Sequence, residues 1–157
     1  MKINDCMKPN VISITASASI GQAAALMVAR HIGTLPVIDG AGHLMGLLQL
    51  RDLLEFVMPD FVRLMENFDF VQDFGAVETR QPELDTLVRP VREVMQPPVS
   101  VDRACGLLRA YAMLLRHQLL DLPVVGPDNR LVGIASRVDV GTMLLASWRT
   151  APGGSET

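Results

Sequence analysis

Leu35-Pro36-Val37 and Leu122-Pro123-Val124 are the same motif, repeated 87 residues apart. The repetition extends well beyond these residues, because residues 11–56 recur at 98–143 with the same offset. A period of this length predicts two copies of one supersecondary unit, packed on each other. Any functional site is therefore expected to be shared between the copies or to occur twice.

The two copies also share their flanks. The leading segment Ile3–Pro9 recurs as Val91–Pro97 with an offset of 88, and both versions contain Met-x-Pro. Within each copy, a glycine is followed six residues later by an aspartate. These pairs are Gly46 with Asp52 and Gly133 with Asp139.

Hydrophobic periodicity predicts the order β-α-β-β-α in each copy. The first copy is expected to have strands at 11–14, 34–38 and 43–49, a helix from about 20 to 31 and a helix at 51–57. The second is expected to have strands at 99–101, 121–125 and 130–136, and helices at 103–117 and 137–145. Ser17 or Ser19 can cap the first helix. Its predicted inner face consists of Ile20, Ala23, Ala24, Met27 and Val28.

A segment between the copies matches neither of them. All five phenylalanines lie within residues 56–74, and Phe61, Leu64, Met65 and Phe68 recur at helical spacing. One or two helices ending near Gly75 are expected here. Because aromatic residues are enriched in cores and in interfaces, the rings either cover the gap between the copies or form a subunit contact. The predicted organisation is a first repeat at 1–57, an insert at 58–90, a second repeat at 91–147 and a disordered tail at 148–157.

Composition excludes several classes of protein. The chain has 157 residues, of which 49% are hydrophobic and 20% are charged, enough for one compact domain or two half-domains with a common core. The net charge of −3 provides no basic surface for nucleic acid. Neither a membrane span nor a secretory signal is expected, which predicts a cytoplasmic protein. Cys6 and Cys105 are not equivalent in the repeats, so reduced thiols are expected.

The order and spacing of these features resemble a cystathionine-β-synthase (CBS) domain. The features are Met-x-Pro, an apolar strand, an alanine-rich helix, Ile32–Asp39, Gly46 and Asp52-Leu53-Leu54. Two such domains in tandem resemble a CBS pair, or Bateman module, over about residues 1–57 and 90–146. The resemblance implies an α+β fold in which two small sheets pack about a pseudo-twofold axis. It also implies a homodimer that binds adenosine-containing nucleotides in clefts between the copies and regulates other proteins without catalysis of its own.

The second copy fits the family's nucleotide-binding pattern best, in Gly133-Ile134-Ala135-Ser136-Arg137-Val138-Asp139. The resemblance implies that Asp139 accepts both ribose hydroxyls, since a carboxylate is purely an acceptor. Ser136 is expected to donate to a phosphate at the start of the helix, with Arg137 beside it. The alternative for Asp139 is simple capping of the last helix.

The first copy departs from this pattern, because Gln49 stands where serine or threonine is expected. Asp52 is expected to keep the ribose contact, while Gln49 makes the phosphate contact doubtful. The resemblance implies that the adenine edge is read mainly by backbone and apolar groups. These residues are Ser13, Ile14, Gly33, Thr34, Leu35 and Pro36 in the first copy, and Ser100, Val101, Leu120, Asp121, Leu122 and Pro123 in the second.

The residue before Leu-Pro often faces phosphate in the family, and here it is Thr34 or Asp121. A carboxylate repels a polyphosphate, so one competent site is expected, with AMP or adenosine preferred over ATP. The main prediction is thus a regulatory module that needs no cofactor, takes AMP as its ligand and acts in trans on an unknown protein. The competing prediction is an interaction or scaffold protein with degenerate clefts. No nucleophile, P-loop or metal-ligand spacing indicates an enzyme.

Overall fold

The structure is a computed structural model that describes residues 1–65, 75 and 79–148. The first repeat contains β1 (Ile14–Thr15), α1 (Ile20–Arg30), β2 (Thr34–Ile38), β3 (Leu44–Gln49) and α2 (Leu50–Leu54). Two short helices follow, α3 (Asp60–Leu64) and α4 (Leu84–Leu87). The second repeat contains β4 (Val101–Asp102), α5 (Leu107–Arg116), β5 (Asp121–Val125), β6 (Leu131–Ser136) and α6 (Arg137–Ala146). The predicted α+β class and the order β-α-β-β-α are confirmed in both repeats.

The described strands form two three-stranded sheets, ordered β1-β2-β3 and β4-β5-β6. In each sheet the short first strand runs parallel to the middle strand, with Ile14 paired to Val37 and Val101 paired to Val124. The prediction that residues 11–13 form part of the first strand is wrong, because the parallel ladder to β2 covers only Ile14 and Thr15. The apolar run before Ile14 leads into the strand instead of forming it.

Helix α1 begins with a capping box, and its cap is Ser19 rather than Ser17. Ser19 Oγ accepts the Gln22 N–H at 3.1 Å, while Gln22 Oε1 accepts the Ser19 N–H at 2.8 Å. Ile20 and Met27 lie on its buried face, but Val28 is 82% exposed, so its predicted burial is wrong. Each helical residue is rotated by about 100° from the previous one, which carries Val28 beyond the narrow covered stripe.

Helix α5 begins at Leu107, four residues after the predicted start. Asp102 explains the delay, because its Oδ1 accepts the Ala104 N–H at 2.8 Å and its carbonyl accepts the Cys105 N–H at 3.2 Å. These bonds hold the chain in a turn before the helix. Helix α2 is also shorter than predicted and ends at Leu54.

The chain forms two compact units whose boundaries cross those of the repeats. The first-sheet unit consists of Ser13–Asp39 and the described part of Met45–Pro97. The second-sheet unit consists of Met1–Ile12, Gly40–Leu44 and the described chain from Pro98. Each unit therefore contains the leading segment that belongs, in the sequence, to the other repeat.

Both leading segments are bound to the third strand of their unit through paired backbone hydrogen bonds. In the second-sheet unit, Lys8 N–H donates to Ile134 O at 2.8 Å and Ile134 N–H donates to Lys8 O at 3.0 Å. In the first-sheet unit, Gln96 and Leu47 exchange the same two bonds at 2.8 and 3.0 Å. The shared Met-x-Pro segment thus has one structural role, repeated in each unit.

The repeated glycine is explained by this crossing of the leading segment over the strand. A Cβ on Gly46 would lie 2.7 Å from Gln96 O. A Cβ on Gly133 would lie 2.5 Å from Met7 Sδ and 3.3 Å from Lys8 O. At position 46 a backbone atom lies closer than a side chain tolerates, so glycine is required there. At position 133 the nearest atom belongs to the flexible Met7 side chain, and the backbone of Lys8 leaves a Cβ only a tight fit.

The insert is described only in part. Helix α3 falls within the predicted helical segment, and its Phe61 and Leu64 are 49% and 83% exposed. The prediction that Met65 continues this helix is wrong, because the helix ends at Leu64 and Met65 has an extended backbone. Phe68 lies outside the described ranges, as do the residues on either side of Gly75, where the predicted helix end falls. Of the predicted disordered tail at 148–157, only Trp148 is described. Across the described residues, no helix has the length and apolarity needed to span a membrane.

Candidate functional site

The end of β6 and the start of α6 bring Ser136 and Asp139 together in a capping box. Ser136 Oγ accepts the Asp139 N–H at 3.0 Å, and Asp139 Oδ2 accepts the Ser136 N–H at 2.9 Å. The geometry therefore realises the capping role that was the alternative for Asp139. Capping is compatible with ligand binding, because a hydroxyl that accepts one hydrogen bond can still donate its own hydrogen. The box lies at a helix N-terminus, where the dipole favours an anion.

Asp121 is paired with the first residue of this box in the sheet. It lies directly opposite Ser136 in the antiparallel pair of β5 and β6, and both residues are half-buried. Residues directly opposite each other present their side chains on the same face, with Cβ atoms roughly 5 Å apart. The carboxylate therefore stands beside the hydroxyl that was predicted to meet phosphate.

Arg137, predicted among the nucleotide-binding residues, is engaged elsewhere in the second-sheet unit. Its Nε donates to Leu119 O at 2.6 Å and its Nη2 donates to Leu114 O at 3.4 Å. Leu114 lies in the last turn of α5, where a helix leaves carbonyls without intrahelical partners, and Leu119 follows the helix by three residues. The guanidinium thus caps the chain at the end of this helix. The backbone N–H of Arg137 donates to Leu120 O at 2.9 Å.

Gln49 and Asp52 occupy the equivalent positions in the first-sheet unit. Asp52 Oδ2 accepts the Gln49 N–H at 2.7 Å, and Asp52 Oδ1 accepts Gln96 Nε2 at 3.3 Å. An open cleft of about 480 Å³ adjoins this carboxylate. Its lining consists of Arg51, Asp52, Glu55, Phe56, Val94 and Gln96.

The first-sheet unit also buries two polar side chains, Thr34 and Gln49, each 4% exposed. Thr34 Oγ1 has no hydrogen-bond partner within residues 1–65, 75 and 79–148. A buried hydroxyl left without a partner costs roughly 1–3 kcal/mol, so a ligand atom that bonded it would be bound more strongly. The equivalent residues Asp121 and Ser136 are less buried, so the two candidate sites differ in enclosure and in charge.

The remaining predicted residues divide by burial. Leu35 and Leu122 are fully buried, side chain and backbone alike. Ile14, Pro36, Val101 and Pro123 are also buried, Ser13, Gly33 and Ser100 are half-buried, and Leu120 is exposed. That backbone and apolar groups predominate along the adenine edge stays a prediction.

Two residues near the aspartates were not predicted. Lys8 Nζ lies 3.9 Å from Asp139 Oδ2 in the second-sheet unit, and Gln96 donates to Asp52 in the first. Both are the middle residue of Met-x-Pro, offset by 88. Their shared position in the repeats could have drawn attention to both residues. The sequence does not show, however, that each leading segment packs in the unit that contains the other repeat's sheet.

Cys6, in the same leading segment, is also affected by Asp139. Burial raises the pKa of the Cys6 thiol, and the negative charges of Asp139 and Asp5 raise it further. Both cysteines lie in the described part of the chain, and both are free thiols. Among the described residues, no cluster of His, Cys, Asp and Glu side chains could hold a metal ion.

Comparison with known proteins gives a consistent result. The family model for the CBS domain matches residues 3–59 and 91–143. A CBS domain-containing protein of Dictyostelium discoideum is 35% identical over 152 residues, which are 96% of this chain and 95% of that protein. Other relatives are longer. The chain covers 31% of an uncharacterized protein of Methanocaldococcus jannaschii and 22% of a homoserine O-acetyltransferase of Methanocorpusculum labreanum.

Solved structures resemble the chain over nearly its whole length. The CBS-pair protein CBSX2 of Arabidopsis thaliana is 28% identical, with a TM-score of 0.72 over 96% of this chain and 98% of that one. A structure of CBSX2 in complex with AMP is 29% identical, with a TM-score of 0.69 over 92% of this chain and 96% of that one.

Proposed function

The chain belongs to the CBS-domain family, and from this premise we propose that it is a regulatory module that binds an adenine nucleotide. The observation that carries the proposal is the pair of Ser136 and Asp139, which places a hydroxyl donor and a carboxylate within one turn of a helix N-terminus. These groups suit the ribose hydroxyls and the phosphate of a nucleoside monophosphate. The complex of CBSX2 with AMP supports the same ligand class.

AMP is the preferred ligand in this proposal. Asp139 accepts the ribose hydroxyls, while Ser136 donates to a phosphate oxygen near the helix dipole. Asp121 stands opposite Ser136, so each additional phosphate adds repulsion. The proposed order of affinity is therefore AMP above ADP and ADP above ATP.

The two candidate sites are proposed to bind unequally. Both carboxylate oxygens of Asp52 are engaged, one by the Gln49 N–H and one by Gln96 Nε2. Asp139 Oδ1 accepts no hydrogen bond from the described residues. A ribose at Asp52 would compete with Gln96 for Oδ1, whereas a ribose at Asp139 finds an oxygen that accepts no other hydrogen bond from the described residues.

A thermal-unfolding titration with AMP, ADP, ATP, adenosine and S-adenosylmethionine tests this function. A ligand at about one hundred times its Kd stabilises the folded state by about 2.7 kcal/mol. Asp139→Ala should weaken AMP binding by roughly 1.5–3 kcal/mol, and Asp52→Ala should weaken it less. The proposal is wrong if none of these ligands raises the Tm. An unchanged AMP affinity in Asp139→Ala would place the site elsewhere.

Occupancy would act on a partner protein in trans, through a conformational equilibrium that the ligand biases. A homodimer and a cytoplasmic location belong to the same proposal. The competing function is an interaction module with degenerate clefts, favoured by Gln96 on Asp52 and by exposed Phe61 and Leu64. Light scattering of the Phe61→Ser/Leu64→Ser variant tests whether α3 contributes to a dimer. A shift toward monomer would support that role, and an intact dimer would exclude it.

A further inference from the structure

We propose that the middle residue of each Met-x-Pro segment, Lys8 or Gln96, decides whether the adjacent aspartate site prefers a phosphorylated or an uncharged adenosine ligand. Lys8 would select phosphate at the Asp139 site, and Gln96 would favour a neutral nucleoside at the Asp52 site. The inference rests on the proposed function, because it concerns the same two sites.

The backbone of both residues is fixed in the same way. Lys8 exchanges two hydrogen bonds with Ile134, and Gln96 exchanges two with Leu47, at matching distances of 2.8 and 3.0 Å. Each side chain then reaches the aspartate of its unit, with Lys8 Nζ 3.9 Å from Asp139 Oδ2 and Gln96 Nε2 3.3 Å from Asp52 Oδ1. Equivalent backbones therefore present a cation at one site and a neutral amide at the other.

The charges around each site make this difference effective. At the second-sheet site, Asp139 and Asp121 are both negative, so a phosphate there needs a nearby cation. Arg137 is held by carbonyls at the end of α5, whereas the side chain of Lys8 is 69% exposed and can follow a ligand. The ammonium is flexible and has three donors, so it can offset the carboxylates and bond a phosphate.

The first-sheet site has the opposite character. Thr34 and Gln49 are neutral and buried, and the Thr34 hydroxyl lacks a partner among the described residues. Burying a phosphate dianion near them would be costly, since these two side chains offer hydrogen bonds but carry no positive charge to compensate it. Arg51 and Glu55 line the adjoining cleft with opposite charges. A nucleoside without phosphate fits these neutral groups better.

Isothermal titration with AMP and adenosine, followed for wild type and matched variants, tests the inference. All proteins compared in this titration carry Asp52→Asn, which weakens binding at the Asp52 site. The heat of binding then comes mainly from the Asp139 site. Lys8→Gln should then reduce the ratio of AMP affinity to adenosine affinity by about two- to fivefold, the range for an ion pair with an exposed lysine. The reduction should shrink as salt is raised. Lys2→Gln is the control, since Lys2 is the chain's other lysine and lies directly before the leading segment.

The reciprocal exchange completes the test. In an Asp139→Asn background, Gln96→Lys should increase the AMP-to-adenosine ratio at the Asp52 site. An unchanged ratio in Lys8→Gln, with AMP still bound, would overturn this inference and leave the proposed function intact. An equal fall of the AMP-to-adenosine affinity ratio in Lys2→Gln and Lys8→Gln would also overturn the inference, because the effect would then come from the net charge of the protein. If wild type binds neither ligand, the proposed function and this inference both fail.

Discussion

Asp121 lies directly opposite Ser136 across strands β5 and β6, on the same face of the second sheet. The pairing places a carboxylate next to the hydroxyl that we propose as the phosphate contact. Asp121→Asn should therefore raise AMP affinity by up to about fivefold, or about 1 kcal/mol, and leave adenosine affinity unchanged. Calorimetric titration of both ligands measures the difference directly.

Asp128→Asn is the matched control for Asp121→Asn. Asp128 is an exposed residue in the turn at the other end of β5, where its Oδ1 accepts the Arg130 N–H at 3.2 Å. The substitution Asp128→Asn removes one negative charge from the same unit as Asp121→Asn, but at a residue outside the candidate site. Equal gains in AMP affinity from both variants would mean that Asp121 acts only through net charge.

The contact between Met-x-Pro and the repeated glycine predicts a difference between two alanine variants. Gly46→Ala brings its Cβ within 2.7 Å of the backbone oxygen of Gln96, which cannot move alone. Gly133→Ala first meets the flexible Met7 Sδ, and Lys8 O only at 3.3 Å. Overpacking of this kind costs about 1–3 kcal/mol. Both variants should lower the Tm in thermal unfolding, and Gly46→Ala should lower it more.

The double variant Gly133→Ala/Met7→Ala sharpens this prediction, because the smaller side chain removes the nearest clash. It should be less destabilised than the sum of its single variants, whereas Met95→Ala should relieve Gly46→Ala little. Gly40→Ala serves as the control, since no described heavy atom lies within 4 Å of its Cβ. If Gly40→Ala and Gly46→Ala lower the Tm equally, close approach is not the reason for the glycine.

Repeat comparison predicted the elements well because local patterns encode them. The offset of 87 aligned strands, helices and site aspartates, and the equivalent residues His31 and Gln118 both have φ of 54° at the ends of α1 and α5. The contact of Met7 with Gly133 could not be predicted, because these residues are far apart in the sequence. They meet only because the leading segment packs in the second-sheet unit. Likewise, sequence cannot decide whether Asp139 caps a helix or binds a ribose, since both roles need a carboxylate at the same place.

Ser136 and Ser19 allow capping to be separated from ligand binding. Each side-chain oxygen accepts an N–H three residues later in a capping box, so alanine at either position should cost about 1 kcal/mol of folding stability. Only Ser136→Ala should also weaken AMP binding. Thermal unfolding without ligand measures the first effect, and titration of AMP measures the second. Equal AMP affinity in the two variants would assign Ser136 a purely structural role.

The reactivity of Cys6 reports on the charge of the Asp139 site. Burial raises the pKa of the Cys6 thiol, and Asp139 and Asp5 add to the effect, so the thiolate is scarcer at pH 8 than in an ordinary cysteine. Asp139→Asn should lower this pKa and speed alkylation by iodoacetamide. The thiolate fractions of wild type and Asp139→Asn differ only at pH values that are not well above both Cys6 pKa values. The gain in alkylation rate should therefore be largest near neutral pH and vanish at high pH.

Cys105 is the internal control for this experiment, and mass spectrometry of the two alkylated peptides separates the rates. Burial is also the main cause that raises the pKa of Cys105, but its charged neighbours are Arg109, Asp102 and Lys2. Asp139→Asn should therefore leave its alkylation rate unchanged. A parallel increase at both thiols would indicate general loosening of the second-sheet unit. An increase at Cys6 alone would show that the charge of Asp139 acts directly on this thiol.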